Sequence, residues 1–358
     1  MNVVIAAGGT AGHVNPAVAV ARALPLESIS FIGTERGPEA AIVPEAGFAL
    51  DPIDIAGFDR ARPARLPLVG VKAVSAIFAA RRLLAARSAD VVVGMGGYVS
   101  LPVALAARSS SIPVVLHEQN IVLGLAHKVS KPFARHLAVS FEETLSSAGP
   151  RGVFTGNPVL PEIADFDRTS ARASGYDRFG LDPGKRTVLV FGGSLGARTL
   201  NRAAPELARR WRDRDDLQVL HISGRSTSSR VEPEVDPAPG YHRVEYTTHM
   251  ADVYAVADLG ICRGGATTVA ELAAVGLPSV IVPYPHHRDR QQERHAEVLV
   301  RAGAAVMVRD LDATPDKLGE MVEGLSEDAR LGEMAVAARS LARPDAAIRV
   351  AELIRAAV

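Results

Sequence analysis

Val3-Val4-Ile5-Ala6-Ala7-Gly8-Gly9-Thr10-Ala11-Gly12-His13-Val14-Asn15-Pro16 runs from an unbroken apolar stretch through a glycine turn into an alanine- and valine-rich segment. An apolar run without polar alternation reads as a strand buried on both faces, and the segment after it as a covering helix. The pattern recurs along the chain. Gly94-Met95-Gly96-Gly97 follows Val91–Val93, Gly192-Gly193-Ser194-Leu195-Gly196 follows Thr187–Phe191, and Gly264-Gly265-Ala266 follows Gly260–Cys262. Glycine lets backbone N–H groups approach an anion closely, and a helix start adds about half a positive charge there. Two such turns in each half predict two nucleotide-type domains facing one cleft. That layout suits an enzyme acting on a phosphorylated or nucleotide-activated substrate.

Working outward, further strands are expected at Ser30–Gly33, Val114–His117, Leu137–Ser140 and Val153–Thr155, then at Val219–Ser223, Ser279–Pro283 and Ala305–Val308. Helical stretches such as Pro16–Leu24, Val71–Ala86 and Pro102–Arg108 separate them, which implies α/β architecture with parallel sheets. From Leu160 to Arg186 the chain turns polar, so the domains are placed at 1–156 and 157–358. The tail 345–358 reads as an amphipathic helix able to pack on either domain.

At 358 residues the chain suits two domains of ordinary size. Forty basic and forty acidic side chains cancel, which argues against a nucleic-acid partner. The single cysteine, Cys262, leaves no internal disulfide and suits a reducing compartment. Residues 1–7 lack a basic leader and read as a first strand, and no apolar stretch is long enough to span a bilayer. One segment breaks the charge balance. From residue 60 to 89 there is no acid, while Arg60, Arg62, Arg65, Lys72, Arg81, Arg82 and Arg87 give +7, interleaved with Leu66, Leu68, Val69, Val74, Ile77, Phe78 and Leu83. Such a segment either lies on an anionic membrane or buries its apolar stripe and solvates the rest.

The candidate chemistry clusters at the turns. His13, at the entrance to the first helix, is either a general base or a turn-bonding histidine. His117-Glu118-Gln119-Asn120 ends a strand, and either lines the cleft or caps the next helix. The first turn is not G-x-G-x-x-G, and no acid closes a second strand at the required offset, so NAD is disfavoured. No His-x-x-x-His or Cys-x-x-Cys spacing calls for zinc. Asp213-Arg214-Asp215 lacks a preceding apolar strand and reads as a solvated turn, Trp211 as a partly packed helix residue, and His286-His287-Arg288-Asp289 as a polar turn. In the second half, Ser194 offers a hydroxyl to phosphate. Arg263-Gly264-Gly265-Ala266-Thr267-Thr268-Val269-Ala270-Glu271 offers amides for a pyrophosphate and a carboxylate for the hydroxyls of a ribose. Gln291 and Gln292 can donate to and accept from sugar hydroxyls.

Eight stretches in order resemble the MurG family of bacterial N-acetylglucosaminyltransferases. They are GGTAGHVNPA (8–17), DVVVGMGGYVSLP (90–102), PVVLHEQN (113–120), TGNPV (155–159), FGGSLGARTLN (191–201), CRGGATTVAEL (262–272), GLPSVIVPYP (276–285) and DRQQ (289–292). The resemblance implies a GT-B fold, two Rossmann-like domains with the donor held mainly by the second. It implies inverting transfer of N-acetylglucosamine from UDP-N-acetylglucosamine to the C4 hydroxyl of undecaprenyl-pyrophosphoryl-N-acetylmuramyl-pentapeptide, with no cofactor or metal. Carried over, Thr10, Ala11, Gly12, Asn120, Ser194, Thr247, Ala266, Thr267, Thr268, Val269, Ala270, Glu271 and one of Gln291 and Gln292 meet the donor, and Met250 covers the uracil. Arg263 stands by the departing diphosphate, and His13, or else Glu118, takes the acceptor's proton. The lipid acceptor implies a peripheral enzyme at the cytoplasmic face of the plasma membrane, docked through residues 60–87 and open to cell-wall synthesis proteins as partners. An epimerase of UDP-N-acetylglucosamine and a natural-product glycosyltransferase share the expected fold. The chain departs from the family pattern at Leu160, where an arginine is common, and in Pro285–Arg288, a loop one residue longer.

Overall fold

The computed structural model describes residues 1–55, 66–225, 238–287 and 289–358, with the side chains of residues 66–71 outside that description. The chain forms two compact units, Met1–Pro161 together with Arg343–Val358, and Glu162–Ala342.

The first unit holds a seven-stranded sheet of β1 (Asn2–Ala6), β2 (Ser28–Gly33), β3 (Ala49–Pro52), β4 (Val91–Gly94), β5 (Val114–Glu118), β6 (His136–Val139) and β7 (Gly152–Phe154). Its order is β3-β2-β1-β4-β5-β6-β7, parallel throughout. The strand order reverses between β1 and β4, and parallel α/β sheets bind ligands outside the carboxyl ends at such a reversal. Ala6 pairs with Gly94 there, so the first two glycine turns leave adjacent strand ends. Alternation sorts the core into two faces. Val3, Ile5, Val91, Val93 and Val115 pack beneath the helix Ala11–Arg22, whereas Val4, Ala6, Val92, Val114 and Leu116 pack beneath Leu66–Ala86 and Gly97–Ser109. The closing helix Ala346–Arg355 joins the first of these faces through Val350, Ala351 and Ile354, and Arg355 binds Glu27.

The second unit repeats the plan with β8 (Arg186–Phe191), β9 (Leu217–Ile222), β10 (Tyr241–Val244), β11 (Leu259–Cys262), β12 (Ser279–Ile281) and β13 (Ala305–Met307), in the order β10-β9-β8-β11-β12-β13. Phe191 pairs with Cys262, which places the third and fourth turns side by side at the reversal between β8 and β11.

Three features differ from the sequence reading. The edge strands β3 and β10 were not foreseen, because both are only half buried and carry polar residues. The polar stretch after residue 160, for which no element was expected, holds the helix Arg168–Phe179, capped by Asp167 and seated on Met250–Val256. The first unit also continues to Pro161, past the expected limit at 156, and recovers the chain at Arg343.

Candidate active site

In the first unit the glycine turn does not wait for a ligand anion, because the protein supplies one. Glu39 is completely buried; its Oε1 accepts from the amide and hydroxyl of Thr34 (3.0 and 2.6 Å), and its Oε2 accepts from the amide of Gly9 at 3.3 Å. A Cβ on Gly8, Gly33 or Gly37 would lie within 2.7 Å of that side chain, so these glycines make room for the carboxylate. The second turn serves close packing as well: a Cβ on Gly97 would come within 2.4 Å of the carbonyl oxygen of Gly8. The amide of Gly9 is thus engaged within the protein, by a residue, Glu39, that no sequence signal marked.

What this edge does offer is a set of ionisable groups. His13 lies in the first turn of Ala11–Arg22, partly exposed, with Nδ1 2.9 Å from the hydroxyl of Thr10. Ala11 and Gly12 open that helix, whose Thr10 cap makes no side-chain bond to its amides. Burial lowers the His13 pKa below 6.5, against a raising pull from Glu118. Glu118 itself is buried and saturated: Oε1 accepts from the amide and side chain of Asn120 (2.9 and 3.1 Å), and Oε2 accepts from the amide of Gly124 (2.8 Å) and Nδ1 of His127 (2.7 Å). Burial would raise its pKa, but His127 and the amide donors overcome that and bring it down to about 2. A carboxylate so fully engaged is a weak proton acceptor, which favours His13 over Glu118 for the base. His127, buried on the helix Leu125–Ser130, was not foreseen, since only its spatial neighbours distinguish it.

These groups border a cavity of about 390 Å³ lined by His13, Tyr98, Asn120 and His127 on one side and by Ile55, Ile77, Leu101 and Leu105 on another. Beneath the same edge, His117 and Gln119 hold each other and the carbonyls of Gly156 and Met95.

In the second unit the helix Ala266–Val275 starts at Gly265, with no side chain capping its first amides. Uncapped amides at the positive end of a ten-residue helix form a ready anion site. A Cβ on Gly264 would meet the backbone oxygen of Gln292 at 2.3 Å, and His295 Nδ1 lies 3.0 Å from the Gly264 carbonyl oxygen. The phosphate-type turn and the start of the helix Gln291–Arg301 are therefore locked together. Gln292 Oε1 accepts from the amide of Tyr284, and the Gln291 amide donates to Asp289. Glu271 is buried on the inner side of its helix, where Oε2 accepts from Tyr254 at 2.7 Å and burial lifts its pKa to about 7. Ser194 is exposed in the third turn, while Thr247 and Met250 lead into the helix Met250–Val256, with Thr247 accepting from the amide of His249. Thr267, Thr268 and Ala270 are half-buried, and Ala266 and Val269 are buried. Arg263 departs from expectation. It donates to the carbonyls of Val282 and Pro283 and to Asp310, so its charge is already balanced inside the protein.

The remaining expectations fall simply. Asp213 and Asp215 stand exposed in a turn, where Arg214 pairs with Asp216 at 2.6 Å. Trp211 is buried, not merely part-packed, and its indole N–H donates to Glu323. Leu160 packs against the first unit's core. Of the basic segment, Arg60, Arg62 and Arg65 and the side chains of Leu66, Leu68 and Val69 lie outside the described residues, as does Arg288. Within the rest, folding brings acids that the local sequence lacks: Lys72 pairs with Asp54 (2.9 Å) and Arg87 with Asp51 (2.7 Å), whereas Arg81 and Arg82 stand exposed. Val74 and Phe78 are also exposed.

Two parallel-sheet Rossmann-like units, one carrying an uncapped helix start followed by a buried acid, make the GT-B fold, the fold of a large class of sugar-nucleotide glycosyltransferases. Residues 3–139 match the glycosyltransferase family 28 N-terminal domain and residues 187–350 its C-terminal domain, and the chain belongs to that family. It is 42% identical, over 99% of its length and 97% of the relative's, to a Nocardioides UDP-N-acetylglucosamine–N-acetylmuramyl-(pentapeptide) pyrophosphoryl-undecaprenol N-acetylglucosamine transferase. The crystal structure of Acinetobacter baumannii MurG matches at a TM-score of 0.73 and 30% identity, covering 99% of both chains. A Neisseria meningitidis UDP-GlcNAc 2-epimerase matches at a TM-score of 0.71 but 14% identity over 98% of this chain and 99% of its own, a likeness of fold alone.

Proposed function

We propose that this glycosyltransferase moves N-acetylglucosamine from UDP-N-acetylglucosamine to the C4 hydroxyl of undecaprenyl-pyrophosphoryl-N-acetylmuramyl-pentapeptide, with inversion at the anomeric carbon. The similarity over 99% of the chain to a transferase named for that donor and acceptor carries the reading. The geometry supports it. Amides of Ala266, Thr267 and Thr268 at the uncapped helix start receive the pyrophosphate, and Glu271 accepts from the ribose hydroxyls. Gln291 and Gln292 address the sugar, with Ser194 at the phosphates and Thr247 and Met250 at the uracil. Fixed amides aimed at the departing diphosphate stabilise its growing charge without reorganising, the largest contribution such a site makes. Arg263, balanced by Asp310, holds the carbonyls of Val282 and Pro283 beside that turn in place of meeting the phosphates directly.

The base is His13. In the tautomer that donates from Nδ1 to the Thr10 hydroxyl, Nε2 keeps its lone pair, and a lowered pKa keeps the ring neutral at physiological pH. General-base catalysis of this kind contributes roughly 10²- to 10⁴-fold. Thr10, Ala11, Gly12 and Asn120 complete the first unit's share, its cavity offering an apolar wall to the acceptor. Among the described residues no helix is long and apolar enough to cross a membrane. The lipid-linked acceptor places the enzyme's work peripherally, at the cytoplasmic face of the membrane, with exposed Val74, Phe78, Arg81 and Arg82 as the contact.

The test is to incubate the purified protein with labelled UDP-N-acetylglucosamine and lipid-linked muramyl-pentapeptide. Label in a lipid-linked disaccharide is the expected result. Label that stays on the nucleotide as an epimer, or passes only to soluble acceptors, overturns the reading.

A further inference from the structure

His127 sits at the centre of an arrangement that the reaction as described does not use. Its ring is buried, with Nδ1 2.7 Å from Glu118 Oε2 and Nε2 3.3 Å from the carbonyl oxygen of Gly94. A carboxylate and a carbonyl are both acceptors, and only an imidazolium can donate from both nitrogens. The Glu118 carboxylate receives three further N–H bonds, from Asn120 twice and Gly124 once, the surroundings of an ionised acid. Gly96 separates this pair from the base: a Cβ there would lie 3.3 Å from His127 Cε1 and 3.3 Å from His13 Nε2. Gly96, which has no side chain, thus lies against both rings.

Resting on the reading of His13 as base, we propose that His127 is a positioning residue, a buried imidazolium that anchors Glu118 and whose charge, near His13 beside Gly96, offsets the pull of Glu118 so that the buried His13 ring stays neutral and ready to accept a proton. The groups facing His127 are Glu118 on β5, His13 on the first helix and, more remotely, His117 on β5. Lys128 on its own helix is exposed. Glu39, which also acts on His13, is held by Thr34 and Gly9. A neutral residue in place of His127 would leave Glu118 as the dominant charge beside His13, and His13 would then protonate at higher pH.

Two measurements test this. In the full-length wild-type protein labelled with 15N-histidine, both ring nitrogens of His127 are expected at imidazolium positions at pH 7.5; one nitrogen at the unprotonated position overturns the proposal. In His127→Asn, which can still donate one bond to Glu118, the acid limb of kcat at saturating donor should move up by about one pH unit, with folding checked by circular dichroism. An unmoved limb in a folded variant also overturns it. If the variant does not fold, the wild-type spectrum decides. His13→Gln separates the two ideas: retained turnover removes His13 as base whatever the His127 spectrum says.

Discussion

The hydroxyl of Tyr254 donates to Oε2 of Glu271 across 2.7 Å, and the two side chains are buried together. Burial drives the Glu271 pKa up to about 7, and the tyrosine bond opposes that rise without cancelling it. The carboxyl that is to accept from a ribose is thus part-protonated near neutrality. Donor binding, which recruits the ionised form, should weaken as pH falls through 7, to about tenfold below its high-pH value at pH 6. Calorimetric titration with UDP in buffers of different ionisation heat should also register a proton released on binding near pH 6. Tyr254→Phe raises the Glu271 pKa further and should move the whole dependence to higher pH.

Glu39 gives a prediction about folding. Its carboxylate satisfies the amides of Gly9 and Thr34 and the Thr34 hydroxyl in a space from which water is excluded. Unsatisfied buried donors cost about 1–3 kcal/mol each. Glu39→Ala should lower Tm by several degrees, taking about 2–4 °C per kcal/mol for a unit of this size. UDP affinity of the folded fraction should change little, since the amides for the pyrophosphate belong to the other unit. A tenfold loss of UDP affinity at intact fold would mean that the first turn binds nucleotide after all.

Gly97 and Gly149 both have positive φ, at +72° and +79°, but differ in surroundings. A Cβ on Gly97 drives into the Gly8 carbonyl oxygen, whereas around Gly149 nothing lies within 4 Å. Gly149, at ψ −161°, lies where essentially only glycine is at ease, so Gly149→Ala should cost that backbone term alone, about 1–3 kcal/mol. Gly97→Ala should cost clearly more and displace the neighbouring turn that carries His13. Thermal melts of the pair, with kcat on the folded fraction, check both.

How far the sequence led depends on burial. Strands such as Asn2–Ala6 and Val91–Gly94, hidden on both faces, announce themselves as apolar runs, and the helix starting at Ala266 is legible from Gly264 and Gly265. Tyr-His-Arg-Val at β10 does not, because an edge strand needs to bury little. The site was legible where backbone makes it and illegible where distant side chains do. Nothing local pairs Glu39 with Gly9, His127 with Glu118, or Arg263 with Asp310. The pairing of Lys72 and Arg87 was hidden for the same reason, since Asp54 and Asp51 lie outside the +7 segment in sequence and against it in space.

That pairing sorts the basic segment into spent and available charges. Arg81 and Arg82 have exposed side chains beside exposed Phe78, while Arg87 is held by Asp51 through two hydrogen bonds. Each cation near an anionic leaflet contributes about 1 kcal/mol. Arg81→Ala with Arg82→Ala should weaken binding to phosphatidylglycerol vesicles roughly 30-fold at low salt, and Arg87→Ala should do much less. Equal losses in a co-sedimentation assay, or none, would detach this helix from the membrane.

The two units should also separate in the pH dependence of catalysis. Saturating donor has already paired Glu271 with its ribose, so kcat reports the base, whereas kcat/KM for the donor reports the free enzyme and hence Glu271. The His13 pKa lies below 6.5, lowered chiefly by burial, and a base is active above its pKa. The acid limb of kcat should therefore fall below pH 6.5, and that of kcat/KM near 7, where Glu271 ionises. His13→Ala should cut kcat at least 100-fold while changing the UDP dissociation constant little, because no donor contact is lost from the second unit. Coincident limbs, or a kcat that survives the substitution, would take proton transfer away from His13 and leave the wall of its cavity to acceptor binding alone.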